Sequence, residues 1–218
     1  MRSLLQVKDL SSFQKFVRLC AGRVGQILNL SSLGNEAGVS HTTAREWISL
    51  LEASYIVFLL PPHHKNYNKR ITKAPKLYFY DVGLVSYLLG IENIKQMQRD
   101  PLRGHLFENL IVMEFLKNCY EKAERSDLSF FRDSNKNEVD LIVSLQARLW
   151  AVEIKSSQTV TSDFFKGLNY FTELNHGDDV RKALVYGGDQ SQVRSLGRVV
   201  AWKRLSAFFD ETKMEKAP

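Results

Sequence analysis

Two runs, Glu138-Val139-Asp140-Leu141-Ile142-Val143 and Leu149-Trp150-Ala151-Val152-Glu153-Ile154, flank a turn at Gln146 to Arg148. They read as neighbouring strands of a hairpin. Side chains alternate across a strand, so Glu138 and Asp140 share one face, and Glu153 and Lys155 share one face. Such a hairpin can bring two carboxylates, Asp140 and Glu153, to the same sheet edge. Converging carboxylates suit Mg2+ or Mn2+, ions that prefer oxygen ligands. Such an ion polarises a scissile phosphate and activates water, and Lys155 would orient or deprotonate that water. A Glu-x-Lys in a strand is common by itself, its plain reading being a surface salt bridge with Asp140 as a cap.

The surrounding pattern is an α+β or α/β one. Gly104 to Asn118 is apolar almost all round, which predicts a buried helix, and Glu108 sits inside it. A buried carboxylate calls for a cation or a donor. Leu128 to Arg132, Lys182 to Tyr186 and Arg198 to Trp202 read as further strands, and Phe164 to Leu174 as a helix. The result is a mixed sheet flanked by helices.

The first half reads differently. Phe13, Phe16, Val17 and Cys20 fall at helix spacing, and Asn29 to Leu33 starts a short helix ended at Gly38. Ser40 is placed to cap a helix from His41 to about Glu52. Ala44, Trp47, Ile48 and Leu51 form its core stripe, leaving Thr42, Arg45, Glu46 and Ser49 outward. This is a helix-turn-helix pattern. Strand-like runs at Tyr55 to Leu60 and Lys76 to Tyr80 extend it to a winged helix. The intervening segment carries His63, His64, Lys65, Lys69, Arg70 and Lys73, with no acidic residue from Pro61 to Tyr80. Arg45 would face a groove, and Lys65, Lys69, Arg70 and Lys73 the phosphates, making DNA the expected partner.

Charge separates the two halves. Of a net +6, residues 1–100 hold 13 Lys and Arg against 7 Asp and Glu, whereas residues 101–218 hold 17 of each. We therefore expect a winged-helix domain over 1–100 and a second domain over 101–218. No apolar run reaches the roughly 18 residues of a membrane span, so no membrane partner is expected. Met1 to Leu10 lacks the apolar core of a secretory signal. Cys20 and Cys119 stand far apart without metal spacing and suggest reduced thiols in a cytoplasmic protein.

The order Glu108, Asp140, Glu153-x-Lys155 resembles the PD-(D/E)XK nuclease superfamily, although Val139 stands where that motif has proline. More closely, the chain resembles the domain of unknown function that follows the ATPase module in prokaryotic AAA-type ATPases. The match runs from residue 13 to about 171 and is loose past Tyr170. Its carriers include Gly25-Gln26-Ile27-Leu28-Asn29, Gly38 to Thr43, Asn68 to Phe79, Asp81-Val82-Gly83-Leu84, Glu108-Asn109, Phe131-Arg132-Asp133, Glu138-Val139-Asp140 and Val152 to Ser157. The resemblance implies a winged helix joined to a restriction-endonuclease-like domain, normally fused behind an ATPase. No GxxxxGK[ST] loop occurs here, and Gly187-Gly188 lacks the following Lys-Ser/Thr, so an ATPase module would act in cis or in trans.

Three activities stay open. The first is a metal-dependent nuclease with Glu108, Asp140 and Glu153 as Mg2+ or Mn2+ ligands and Lys155, Glu153 and Asp140 as catalytic residues. The second is a module that binds DNA without cutting. The third is an interaction or regulatory domain for an ATPase.

Overall fold

Side-chain caps start the first three helices. In the computed structural model, which describes residues 9–63, 72–121, 127–145, 148–175 and 179–214, Asp9 accepts from the Ser12 amide at 3.0 Å and opens α1 (Leu10–Ala21). Asn29 does the same for Ser32 at 3.0 Å and opens α2 (Leu30–Ala37), which ends at Gly38 in the left-handed region (φ 80°). Ser40 accepts from the Thr43 amide at 3.1 Å and opens α3 (His41–Ala53). Each such cap contributes about 1 kcal/mol. The expected stripe of Ala44, Trp47, Ile48 and Leu51 is buried, and Phe13 and Phe16 meet the Trp47 ring edge-on at 5.2 and 5.3 Å.

Strand β1 (Val57–Leu60) starts two residues later than expected, because Tyr55 closes α3 in a left-handed conformation (φ 54°). It pairs antiparallel with β2 (Lys76–Phe79), Val57 opposite Phe79. Two short helices follow, α4 (Val82–Leu88) capped by Asp81 and α5 (Ile94–Arg99) capped by Asn93. Then comes the long α6 (Arg103–Glu121).

The remaining strands are β3 (Ser129–Arg132), β4 (Glu138–Leu145), β5 (Arg148–Lys155), β6 (Val180–Tyr186), β7 (Gln192–Arg194) and β8 (Gly197–Ala201). They form one mixed sheet in the order β3-β4-β5-β6-β8-β7. The β3-β4-β5 meander is antiparallel, β5, β6 and β8 run parallel, and β7 returns antiparallel to β8. Helix α7 (Lys166–Leu174) follows a 3-10 turn at Ser162–Phe165, and α8 (Leu205–Met214) follows another at Trp202–Arg204. Leu168 and Phe171 of α7 share a core with Ile142, Ala151 and Leu184. Phe208 of α8 meets the Trp150 ring edge-on at 5.1 Å. Trp150 and Ala151 are consecutive strand residues, so the two helices flank the sheet on opposite faces.

The chain forms two compact units, Met1–Leu60 with Ala74–Asn109, and Pro61–Lys73 with Leu110–Pro218. The expected break fell at residues 100 and 101, whereas these divisions fall at 60, 73 and 109. Backbone bonding explains why the segment expected as a wing groups with the second unit. Strand β3 lies at the sheet edge, and an edge strand has backbone groups to satisfy. Phe130 donates to the Pro61 carbonyl at 3.0 Å, His63 donates to Phe130 at 2.6 Å, and Thr72 donates to Arg132 at 3.1 Å. The charge moves with the segment. The first unit holds 10 Lys and Arg against 8 Asp and Glu, and the second holds 20 against 16.

Candidate functional site

The site in the second unit begins with strand register. Leu141 of β4 stands opposite Val152 of β5, and Asp140 and Glu153 lie one residue beyond this pair on their strands. Both are buried, at 7% and 9% exposure. Two buried carboxylates brought to one place repel each other and require compensation. Lys155, two residues beyond Glu153 on the same face, supplies it. Its Nζ lies 2.5 Å from Glu153 Oε1 and 3.7 Å from Asp140 Oδ2. The Ile154 amide donates to Asp140 Oδ2 at 2.8 Å, which fixes that carboxylate against β5.

Glycines let neighbouring backbone close on the cluster. A Cβ on Gly167, in the first turn of α7, would lie 2.1 Å from the Glu138 carbonyl oxygen and 3.7 Å from Glu153 Oε2. The Gly187 amide donates to the carbonyls of Lys155 and Ser157, both at 3.0 Å, and holds the chain leaving β5 against the end of β6. The cluster thus sits where β5 reaches its carboxyl end beside parallel β6, the side on which open α/β sheets bind ligands.

Among the described residues two carboxylates and one ammonium meet here. This all-oxygen acceptor set fits Mg2+ or Mn2+, since Mg2+ is commonly held by one or two carboxylates together with waters and substrate phosphate. Among the described residues no group of three or more His, Cys, Asp and Glu side chains is placed to hold a metal ion.

Glu108 has another partner, in the first unit. Its Oε1 accepts from Lys76 Nζ at 2.9 Å and from the Tyr78 hydroxyl at 2.5 Å. Burial raises the Glu108 carboxyl, but the Lys76 ammonium and the hydrogen bonds outweigh it and hold the group well below the usual range, at about 2. At 3.7 Å from Oε2, His105 Nδ1 is beyond hydrogen-bonding reach. Gly25 makes room for this pair, because a Cβ there would lie 2.9 Å from His105 Nδ1. Next to Glu108, Asn109 donates to the Phe79 carbonyl at 2.9 Å and accepts from its amide at 2.7 Å, tying α6 to β2.

Gly167 did not stand out in the sequence, and Lys76, Tyr78 and Asn109 did so only within the matched runs Asn68 to Phe79 and Glu108-Asn109; the carboxylate in an apolar helix showed only that some cation was needed. Asp133, singled out only within the Phe131-Arg132-Asp133 match, has a structural task. It accepts from Tyr170 Oη at 2.7 Å and from Asn135 and Asn137, closing the β3-β4 turn. Glu138 is paired with Arg132 at 2.9 Å. Of the expected nucleic-acid contacts, Arg45 is exposed on α3 beside Thr42, Glu46 and Ser49, and Lys73 is exposed in the second unit. Lys65, Lys69 and Arg70 lie outside the described residues.

Two domains of unknown function are found. Residues 1–95 match the family described as domain of unknown function DUF8612, and residues 103–205 match domain of unknown function DUF4143. The chain is 31% identical over 135 residues to an uncharacterized protein of Mycobacterium bovis and, equally, to one of Mycobacterium tuberculosis. Each match covers 62% of this chain and 30% of the relative, so the chain spans under a third of their length. No solved structure matches. Asp140, Glu153, Lys155 and Gly167 all fall in the DUF4143 match. The Glu108 pair joins both matches, with Lys76 and Tyr78 in the first and Glu108 in the second.

Proposed function

We propose that the chain is a nucleic-acid-acting module of the kind associated with AAA-type ATPases, in which a restriction-endonuclease-like domain cleaves phosphodiesters with Mg2+ or Mn2+. One observation carries this reading: Asp140 and Glu153 lie on adjacent strands with the Lys155 ammonium within 3.7 Å of both. The meander followed by parallel strands, with a helix on each face, is the sheet such a domain needs. A divalent ion held by Asp140 and Glu153 would polarise the scissile phosphate and lower the pKa of a bound water. The chain's own residues do the rest. Ile154 N–H fixes the Asp140 carboxylate, and Lys155 orients the attacking water and offsets charge on the phosphate oxygens.

Lys73 supports the same assignment. It is exposed in the unit that carries the acidic pair, so a phosphate contact from it would serve the cutting domain, the role that the sequence also gives Lys65, Lys69 and Arg70. Helices α2 and α3 with the β1-β2 pair form the body of a winged helix, in which Arg45 faces a groove. The chain works in the cytoplasm, with its ATPase partner in cis or in trans.

A second reading has one observation in its favour. Lys155 already balances much of the carboxylate charge without any metal, which suits a domain that binds DNA, or docks an ATPase, without cutting. The deciding experiment is cleavage of a panel of DNA and RNA structures with Mg2+ or Mn2+, wild type beside Asp140→Ala. Metal-dependent cutting, lost in the variant, is expected. A folded wild type that cuts nothing would leave the second reading.

A further inference from the structure

We propose that the second unit carries a nucleotide-phosphate site of its own, built from Arg181, Arg194 and Arg198 and separate from the acidic pair. Strands β5, β6 and β8 run parallel, so their first residues share one end of the sheet. Register puts Leu149 beside Val180 and Ala183 beside Arg198, and β7 returns with Arg194 opposite Gly197. A cavity of about 390 Å³ opens there. Arg181, Lys182, Arg194 and Arg198 line it, and Asp179 is the one acidic residue among its described lining.

Glycine builds this corner. Gly197 has φ 144°, which L side chains rarely adopt, and a Cβ there would lie 2.9 Å from both the Cβ and the carbonyl oxygen of Lys182. The β7-β8 turn can therefore close on β6 and carry Arg194 to the start of that strand. Each cation is then held differently. The Arg198 guanidinium lies 5.8 Å from the Trp150 ring centre, 6.0 Å from that of Phe208 and 3.3 Å from Glu211, so it stands as a fixed wall. Arg181 reaches Asp179 at 3.3 Å, but the two side chains are 44% and 58% exposed, a water-screened pair that a phosphate can displace. Arg194 is exposed and donates its Nε–H to the neutral Gln192 side chain at 3.0 Å; a guanidinium has five N–H donors, which leaves others for a ligand. Lys182 is engaged elsewhere, its ammonium donating to Asn169 of α7 at 2.9 Å.

Guanidinium forks match the paired oxygens of a phosphate. A cavity of this size takes a nucleotide rather than a bare ion, and exposed Val193 offers its sugar or base an apolar wall. The place is distinct from the carboxylates. Trp150 stands three residues before Glu153 on β5, so the two side chains point to opposite faces of the sheet. Trp150 meets Phe208 of α8, whereas Gly167 of α7 closes on the Glu153 side.

Calorimetry in EDTA, with thymidine 5′-monophosphate and with a ten-nucleotide thymidine strand, tests the assignment. Wild type should bind the mononucleotide, and Arg181→Ala and Arg194→Ala should each weaken it about tenfold, the size of one lost hydrogen bond to a charged group. Asp140→Asn, and Lys166→Ala, which removes an exposed cation from α7, should bind as wild type does. The strand identifies the source of the phosphate. Tighter binding than the mononucleotide, lost in the same two arginine variants, assigns the site to a nucleic-acid backbone; equal or weaker binding assigns it to a free nucleotide. Circular dichroism checks each fold, and if one arginine variant does not fold the other decides. Wild type binding neither probe, folded arginine variants binding as wild type, or Lys166→Ala losing as much as they do overturns the site. The nuclease reading is judged apart from it, by metal-dependent cutting and its loss in Asp140→Ala.

Discussion

Each unit buries a carboxylate against a lysine, and the two solutions differ in charge and in access. In the first unit Glu108 meets Lys76 one to one, with Tyr78 completing the shell, and the two charged side chains are 10% and 3% exposed. In the second, Asp140 and Glu153 share Lys155, whose side chain is 34% exposed. The first cluster is deeply buried and joins α6 to β2. The second leaves its lysine within reach of solvent.

The comparison is broken most severely by Lys76→Met. This strands a buried carboxylate, which costs about 3–5 kcal/mol, and chemical denaturation should show a loss of that size. The companion double variant, Lys76→Met with Glu108→Leu, should recover much of it. Gly167→Ala comes next. Its Cβ would meet the Glu138 carbonyl at 2.1 Å, so α7 must shift, at about 1–3 kcal/mol, and Mn2+ binding at the Asp140–Glu153 pair should weaken with it.

Acid titration reports on the Glu108 cluster. The Glu108 carboxyl is held at about 2 in the folded chain, below its ordinary 4.5. Its contribution is therefore complete above about 4.5 and is lost as pH falls toward 2. Thermal unfolding of Glu108→Gln should lack that part of the acid decline. Asp140→Asn should do the opposite of Lys76→Met. Removing one of two opposed charges while keeping an acceptor for Ile154 should leave stability unchanged within about 1 kcal/mol, or raise it, while cleavage disappears. The smallest effect is that of Arg45→Ala, which should leave the melting temperature alone. Loss of one phosphate or base contact would lower the salt slope of DNA binding by at most about 1.

What could be read from the sequence was what short-range rules decide. The Ser40 cap, the Ala44-Trp47-Ile48-Leu51 stripe and the shared face of Glu153 and Lys155 depend on residues one to seven apart. The expected elements stand, with ends moved by one or two residues in most cases. Helices α4, α5 and α8 and strand β7 carry weaker patterns; β7 is three residues long and exposed throughout, so it leaves no alternation to detect. Long-range partnerships were hidden. Glu108 announced its need for a cation but not that Lys76, 32 positions earlier, would meet it. The attachment of Pro61, His63 and Thr72 to β3 was equally invisible, because the bonds involved are backbone ones and carry no side-chain signature.

The way the chain is partitioned has a consequence for its synthesis. Neither unit is a continuous stretch: the first is interrupted at 61–73, and its last residues are the opening turns of α6. On the ribosome Lys76 and Tyr78 cannot meet Glu108 until residue 108 has emerged, and Pro61, His63 and Thr72 wait longer still, until β3 is made. A gene cut between codons 100 and 101 would leave Lys76 and Tyr78 in one product and Glu108 in the other.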